Sequence, residues 1–168
     1  NYTFHKFHAS HDRMTGTPET AREFNGFVES AAPVFGDRIP CQRIGLYYSS
    51  SSVLRQMTMQ NRLNFNDQPH HFELWGWGTA LDQLHQQYRV IPEWKLTAAT
   101  LSNLDLLIVP NAGVFGSNAV QNILQPWLDA GGKVIFSGAD NGKYGDEDDN
   151  FDELAQPSVT PVLAHTNV

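Results

Sequence analysis

The apolar positions of this chain change rhythm several times, and each rhythm predicts an element. Between Asp105 and Gly138, two short runs, Leu106 to Val109 and Val134 to Phe136, show no alternation of polar and apolar residues. Strands buried on both faces read this way. Between the runs, Val120, Ile123, Leu124, Trp127 and Leu128 recur at the spacing of one helix face. Ser117 is placed to cap that helix, and Gly131 to end it in the left-handed conformation. Pro126 falls inside it and predicts a kink, because proline removes a hydrogen bond and crowds the preceding turn. Two buried strands joined through a helix make a right-handed crossover with parallel strands.

The same rhythm runs back to Arg43. Ile44 to Tyr48 reads as a first strand that ends in Ser49 to Ser52, and residues 53–68 as a polar connection with room for one helical turn. Pro69 opens a long helix to about Gln87, with Trp77, Leu81, Leu84 and Tyr88 on one face. Gly76 and Gly78 weaken that helix. Arg89 to Trp94 is a poor strand whose Pro92 belongs at a sheet edge, and Thr97 to Ser102 is a short helical turn. Strands alternating with helices predict an α/β fold: an open, flavodoxin-like three-layer sandwich with at least four parallel strands and helices on both faces.

Residues 1–40 read differently. Asn1 to His5 is strand-like, His8 to Gly16 is a polar loop, and Thr17-Pro18-Glu19 opens a helix carrying Ala21, Phe24, Phe27, Val28 and Ala31. Pro33 to Pro40 follows as a connector. One strand and one helix cannot bury their own apolar faces, so this piece is expected to lean on another element. The organisation predicted is residues 1–40, an α/β domain over 41–154, and a tail over 155–168 towards a following element.

Composition narrows the partners. The 168 residues are 40% hydrophobic and 17% charged, enough for one well-buried core. The formal net charge is −7, and residues 140–153 alone carry seven acidic side chains against Lys143. No basic footprint exists for nucleic acid, and anionic membrane surfaces are disfavoured for the same reason. No apolar run approaches the roughly 18 residues of a membrane span. The single cysteine, Cys41, excludes an internal disulfide framework.

In open α/β sheets, ligands sit beyond the carboxyl ends of the strands. Here those ends carry Ser49 to Ser52, Asn111 to Gly113, and Ser137 to Asn141, which makes Asn111, Asp140 and Asn141 candidate ligand-binding residues. None of these stretches is a glycine-rich phosphate cradle, and no cofactor is expected. Ser137-Gly138 follows a strand but leads into an acidic loop instead of the helix that a nucleophile elbow requires, and Cys41 lies at the wrong end of the sheet. No catalytic residue is therefore assigned. Asp146, Asp148 and Asn150 match the first positions of a calcium loop, yet Phe151 and Pro157 stand where glycine and glutamate are needed. His5, His8 and His11, and the pair His70-His71, lack the further ligands of a zinc site, so no metal is expected either. Trp75 and Trp77 are candidates for stacking on a sugar ring, although aromatic residues on a helix more often serve packing.

Several short stretches together resemble a family. Ile44-Gly-Leu-Tyr-Tyr48, Leu104-Asp-Leu-Leu-Ile-Val-Pro110, Trp127-Leu-Asp-Ala-Gly-Gly-Lys-Val134 and Ser137-Gly138 before an acidic loop are similar to the class I glutamine-amidotransferase-like fold. They resemble especially its non-catalytic form, the trimerisation domain of family 42 glycoside hydrolases, the β-galactosidases. Lys6-Phe-His8, His11, Gly16-Thr17 and Arg22-Glu-Phe24 resemble the last strand and helix of the (β/α)8 barrel that precedes it there. The resemblance implies a structural and oligomerisation domain whose partners are its own upstream barrel, further copies in a trimer, and the carbohydrate substrate of the parent enzyme. The amidotransferase cysteine has no counterpart near Ser137 to Ala139, so glutamine hydrolysis is not implied. The family's catalytic glutamates lie on earlier barrel strands. Two other readings remain: a small-molecule hydrolase or amidotransferase-like enzyme using the strand-end crevice, and a sugar-binding module using Trp75 and Trp77.

Overall fold

The computed structural model describes residues 18–35, 41–62, 64, 67–145 and 151–160. Contacts divide the chain into two compact units, Asn1–Pro40 and Cys41–Val168. In the first, helix α1 (Pro18–Phe35) leaves Phe24, Phe27 and Val28 exposed. It continues through Pro33, where the sequence predicted a connector. The expected strand over 1–5, the loop over 8–16 and the histidines within them lie outside the described residues, as does the acidic run 146–150.

The second unit runs β1 (Ile44–Tyr48), α2 (Ser50–Thr58), α3 (Pro69–Gln83), β2 (Tyr88–Pro92), a 3-10 turn (Glu93–Lys95), α4 (Ala98–Leu101) and β3 (Leu106–Pro110). Then α5 (Ser117–Ala119) passes through a π-helical turn (Val120–Leu124) into α6 (Gln125–Asp129), and β4 (Lys133–Ser137) follows. The four strands pair in parallel in the order β2-β1-β3-β4, with Leu46 opposite both Val90 and Ile108, and Ile108 opposite Ile135. This is the expected open α/β sandwich. Pro92 ends the edge strand β2, where its missing N–H costs no ladder bond.

Alternate strand residues feed two cores. Tyr47, Ile91, Leu107 and Val109 join Leu101, Phe115, Val120 and Leu124 on one face, with Val134 and Phe136 packed against them. On the other face Leu46 and Ile108 meet Leu81 of α3, with Leu74 and Trp77 alongside. The stripe predicted from Val120 to Leu128 does face the first core. Fully burying Val120 and Leu124 stabilises by about 2 kcal/mol each, against the ~3 kcal/mol that a proline costs inside a helix.

The kink expected at Pro126 takes the form of the π turn. Gln125 N–H bonds to the Val120 carbonyl, five residues back, so that Pro126 stands in the first turn of α6, where a missing N–H is least costly. The cap differs by one residue: Gly116 occupies it, and Ser117 is the first helical residue. Gly131 does take the left-handed conformation, at φ 98°. Gly131 N–H bonds to Leu128 O and Gly132 N–H to Trp127 O, which closes the helix end in a Schellman motif. A Cβ on Gly132 would lie 2.3 Å from the Trp127 ring, so the ring's position requires that glycine.

Three further differences bear on the site. Residues 50–58 form a full helix where a polar connection was expected, capped by the Ser49 side chain, which accepts from Ser52 N–H. Helix α3 stops at Gln83, not near Gln87, because His85 turns left-handed at φ 53° and Gln86 N–H bonds back to Leu81 O. Strand β4, expected to be buried on both faces, is covered in part and on one face only, through Val134 and Phe136. Helix α3 packs on β1 and β3, and Ile135 on β4 stays 38% exposed. The stretch read as the start of a tail holds Val159, which is 1% exposed within the first core.

Candidate functional site

The chain leaves β1 towards β2 on one side and returns to β3 on the other, so the topological switch point lies between the carboxyl ends of β1 and β3. Open α/β proteins bind ligands there. In this protein the position is filled by its own side chains. His70, in the first turn of α3, is fully buried between the two strand ends. Its Nε2 lies 2.9 Å from Ser49 N and its Nδ1 2.5 Å from the Pro110 carbonyl oxygen. Ser49 N–H can only donate, so Nε2 must be the bare nitrogen and Nδ1 carries the proton. Burial, first of all, lowers the His70 pKa to about 4; the Pro110 carbonyl opposes this, His71 adds to it, and Glu93 opposes it. The ring is a neutral clamp with both nitrogens engaged.

The next group in the crevice is equally occupied. Ser49 Oγ donates to the Val114 carbonyl at 3.0 Å, and Val114 N–H donates to Ser52 Oγ at 2.9 Å. Ser52 Oγ in turn donates to Ser49 Oγ at 2.8 Å. The loop after β3 is thereby drawn over the start of α2. That helix N-terminus, whose free N–H groups and dipole attract anions, already holds a carboxylate. Glu93, just after β2, accepts from Ser51 N–H at 2.9 Å, Ser50 Oγ at 2.9 Å and Ser51 Oγ at 2.8 Å.

The candidate amides at the strand ends are also spent on backbone. Asn111 sits at φ 43°, a conformation asparagine tolerates better than most residues, and its Oδ1 accepts from Asp140 N–H at 3.1 Å. Asn141 Oδ1 accepts from Ala112 N–H at 2.8 Å, while its Nδ2 donates to the carbonyls of Ser137 and Gly138. These residues sew the loop after β3 to the loop after β4. Asp140 contributes its backbone to this seam, and its carboxylate lies 3.9 Å from Lys143 Nζ. The structure brings Asn111, Asp140 and Asn141 together and gives the two amides the work of holding loops.

Trp75 and Trp77 do not share a surface. Trp75 is 72% exposed, whereas Trp77 packs against the second core and donates its Nε1 proton to Ser137 Oγ at 2.8 Å. Ser137 Oγ in turn donates a hydrogen bond to Glu73 Oε2 at 2.5 Å. Among the described residues no histidine bonds to Ser137 as the general base of a triad would. Glu73 is the residue that sequence reading missed, since it lies 64 positions from its partner. Its signal was its place on α3, one turn before Trp77. Two shallow grooves, of about 290 and 330 Å³, adjoin along this helix and share Phe72 and Glu73. A larger groove of about 680 Å³ opens at the opposite ends of the strands, beside Asp105, Trp127 and Lys133.

Among the described residues no three histidine, cysteine, aspartate or glutamate side chains converge in a way that could hold a metal ion. Also among them, no helix is long and apolar enough to cross a membrane.

No family model matches the chain, and no curated protein does. Among solved structures it is similar to a β-galactosidase from Bifidobacterium adolescentis, with a TM-score of 0.50 and 19% sequence identity. The match covers 67% of this chain and 45% of that one, so the chain corresponds to less than half of the larger protein. At this identity the likeness is one of fold: four parallel strands between helical layers recur as part of a β-galactosidase chain.

Proposed function

We propose that this chain is a non-catalytic structural domain of a glycoside hydrolase-related protein, with the catalytic barrel elsewhere in the parent and the domain serving its homo-oligomeric assembly, as a trimer. The observation that carries the reading is the state of the switch point. His70, Glu93 and the Val114 loop fill the place where an open α/β enzyme would hold its substrate. A crevice whose polar atoms are satisfied internally has no hydrogen bonds left to give a substrate. The fold shared with part of a β-galactosidase supports the glycoside hydrolase relation. The apolar residues exposed on α1, Phe24 and Phe27 among them, support burial against a further element of an assembly.

The chain alone is expected to hydrolyse neither glutamine nor aryl glycosides. Turnover that survives purification and disappears in Ser137→Ala or Cys41→Ala would overturn the structural reading. Light scattering on the full-length parent tests the assembly role, and a clean monomer at micromolar concentration would remove it.

A further inference from the structure

The groove along the outer side of α3 belongs to neither the filled crevice nor the cores. We propose that it binds an organic cation, the ammonium or guanidinium group of a free amine or of a lysine or arginine side chain, on the Glu73 carboxylate. Glu73 is held in place before any ligand arrives. Its Oε2 receives the Ser137 hydroxyl at 2.5 Å, and Ser137 Oγ receives Trp77 Nε1–H at 2.8 Å, so one relay fixes both the carboxylate and the indole. Oε1 accepts no hydrogen bond among the described residues. The aromatic residues Phe72, 68% exposed, and Trp77 line the same groove. Cations are attracted to aromatic faces as well as to anions, and the two contacts are compatible in one groove.

Among the described residues, Trp77 Nε1–H in this groove is donated to Ser137, and one N–H of Gln68 in the adjoining groove is donated to the Arg62 carbonyl. A sugar hydroxyl could also donate to the Glu73 carboxylate, but a cation adds opposite charge to the hydrogen bond. An ammonium or guanidinium only donates. Asp67 also lines the adjoining groove, and the chain as a whole carries −7.

Gly76 supplies an independent observation. Glycine weakens a helix interior, yet a Cβ at Gly76 would meet nothing within 4 Å among the described residues, so their packing does not require it. It lines the groove between Glu73 and Trp77, where the missing side chain leaves the helix backbone open to close approach.

Nitrogen–proton correlation NMR on the whole chain tests this, with agmatine, a trilysine peptide, n-butanol and galactose as probes. Agmatine should shift the Trp77 indole N–H and the Gly76 amide saturably, and n-butanol and galactose should not. Glu73→Gln should weaken agmatine binding at least about tenfold, because the charged acceptor is lost. Phe72→Ala, on the surface, should weaken it less while leaving the rest of the spectrum in place. A trilysine peptide that binds more tightly than agmatine assigns the cation to a partner polypeptide, and the reverse assigns it to a free amine. Saturable binding of galactose in place of agmatine would overturn the proposal in favour of a saccharide groove. So would an agmatine response unchanged in a folded Glu73→Gln variant, or no saturable response at all.

Discussion

Two polar clusters stand at the carboxyl ends of the strands, and they are built from similar parts. Each has a side chain from the first turns of α3, a serine at a strand end, and an aromatic neighbour. In the His70 cluster both ring nitrogens are paired with backbone, and the residue is fully buried. In the Glu73 cluster one carboxylate oxygen is paired with Ser137, and the groove beside it is open. The difference separates architecture from recognition. A buried network closed on itself holds strands and loops in register, whereas a pinned but incompletely satisfied group is prepared for something outside the chain.

The sharpest way to break the comparison is to delete each centre. His70→Ala leaves Ser49 N–H and the Pro110 carbonyl buried without partners and opens a cavity between β1 and β3. Together these should cost about 3–5 kcal/mol, a large share of the stability of a domain this size. Glu73→Ala removes a half-buried carboxylate whose partner, Ser137, still receives the Trp77 N–H, and should cost about 1 kcal/mol. Urea unfolding of both variants measures the gap. Equal losses would show that the two clusters do the same structural work.

The next effect is on pH dependence. His70 has a folded pKa of about 4, below its ordinary value of 6.5, so the unfolded chain binds the proton first as pH falls. The stability contributed by neutral His70 is therefore complete above pH 6.5 and is lost progressively between pH 6.5 and about 4. At 1.36 kcal/mol per unit the loss is about 3 kcal/mol. His71 pushes the same way, since burial lowers its pKa too, while Glu93 and the Pro110 carbonyl oppose the shift of His70. Urea midpoints followed from pH 7 to pH 4 should fall steeply in the native chain and much less in His70→Gln. A parallel fall in both would place the titrating group elsewhere.

How far these clusters can be read from sequence follows from what each link depends on. The strands at Ile44 to Tyr48 and Leu106 to Pro110 were legible because burial on both faces leaves an unbroken apolar run. Helix α2 was not, because its buried side chains are Ser52, Val53 and Gln56, and one apolar residue makes no stripe. The end of α3 was hidden because His85, not glycine, takes the left-handed turn. Asn111, Asp140 and Asn141 could be located from the rule about strand ends. What their side chains do could not, since those bonds cross between loops about 30 residues apart. His70 beside His71 carried no sign of a clamp in the sequence, and only the approach of Ser49 and Pro110 to opposite ring nitrogens decides its role.

The smallest effect sharpens the contrast from inside one helix. Gly76 and Gly78 both weaken α3 in principle, yet their surroundings differ. A Cβ at Gly76 meets nothing within 4 Å, whereas one at Gly78 lies 3.0 Å from the Tyr88 hydroxyl oxygen. Gly76→Ala should therefore raise stability by the full helix-propensity difference of about 1 kcal/mol. Gly78→Ala should gain less, because the Tyr88 side chain must shift to admit the methyl group. If the groove is a recognition site, Gly76→Ala should also weaken agmatine binding by filling the space next to Glu73, while Gly78→Ala leaves it unchanged. Thermal unfolding gives the first quantity and the NMR titration the second. A Gly76→Ala chain that is more stable and binds agmatine undiminished would mean that the open backbone at this position serves neither packing nor recognition.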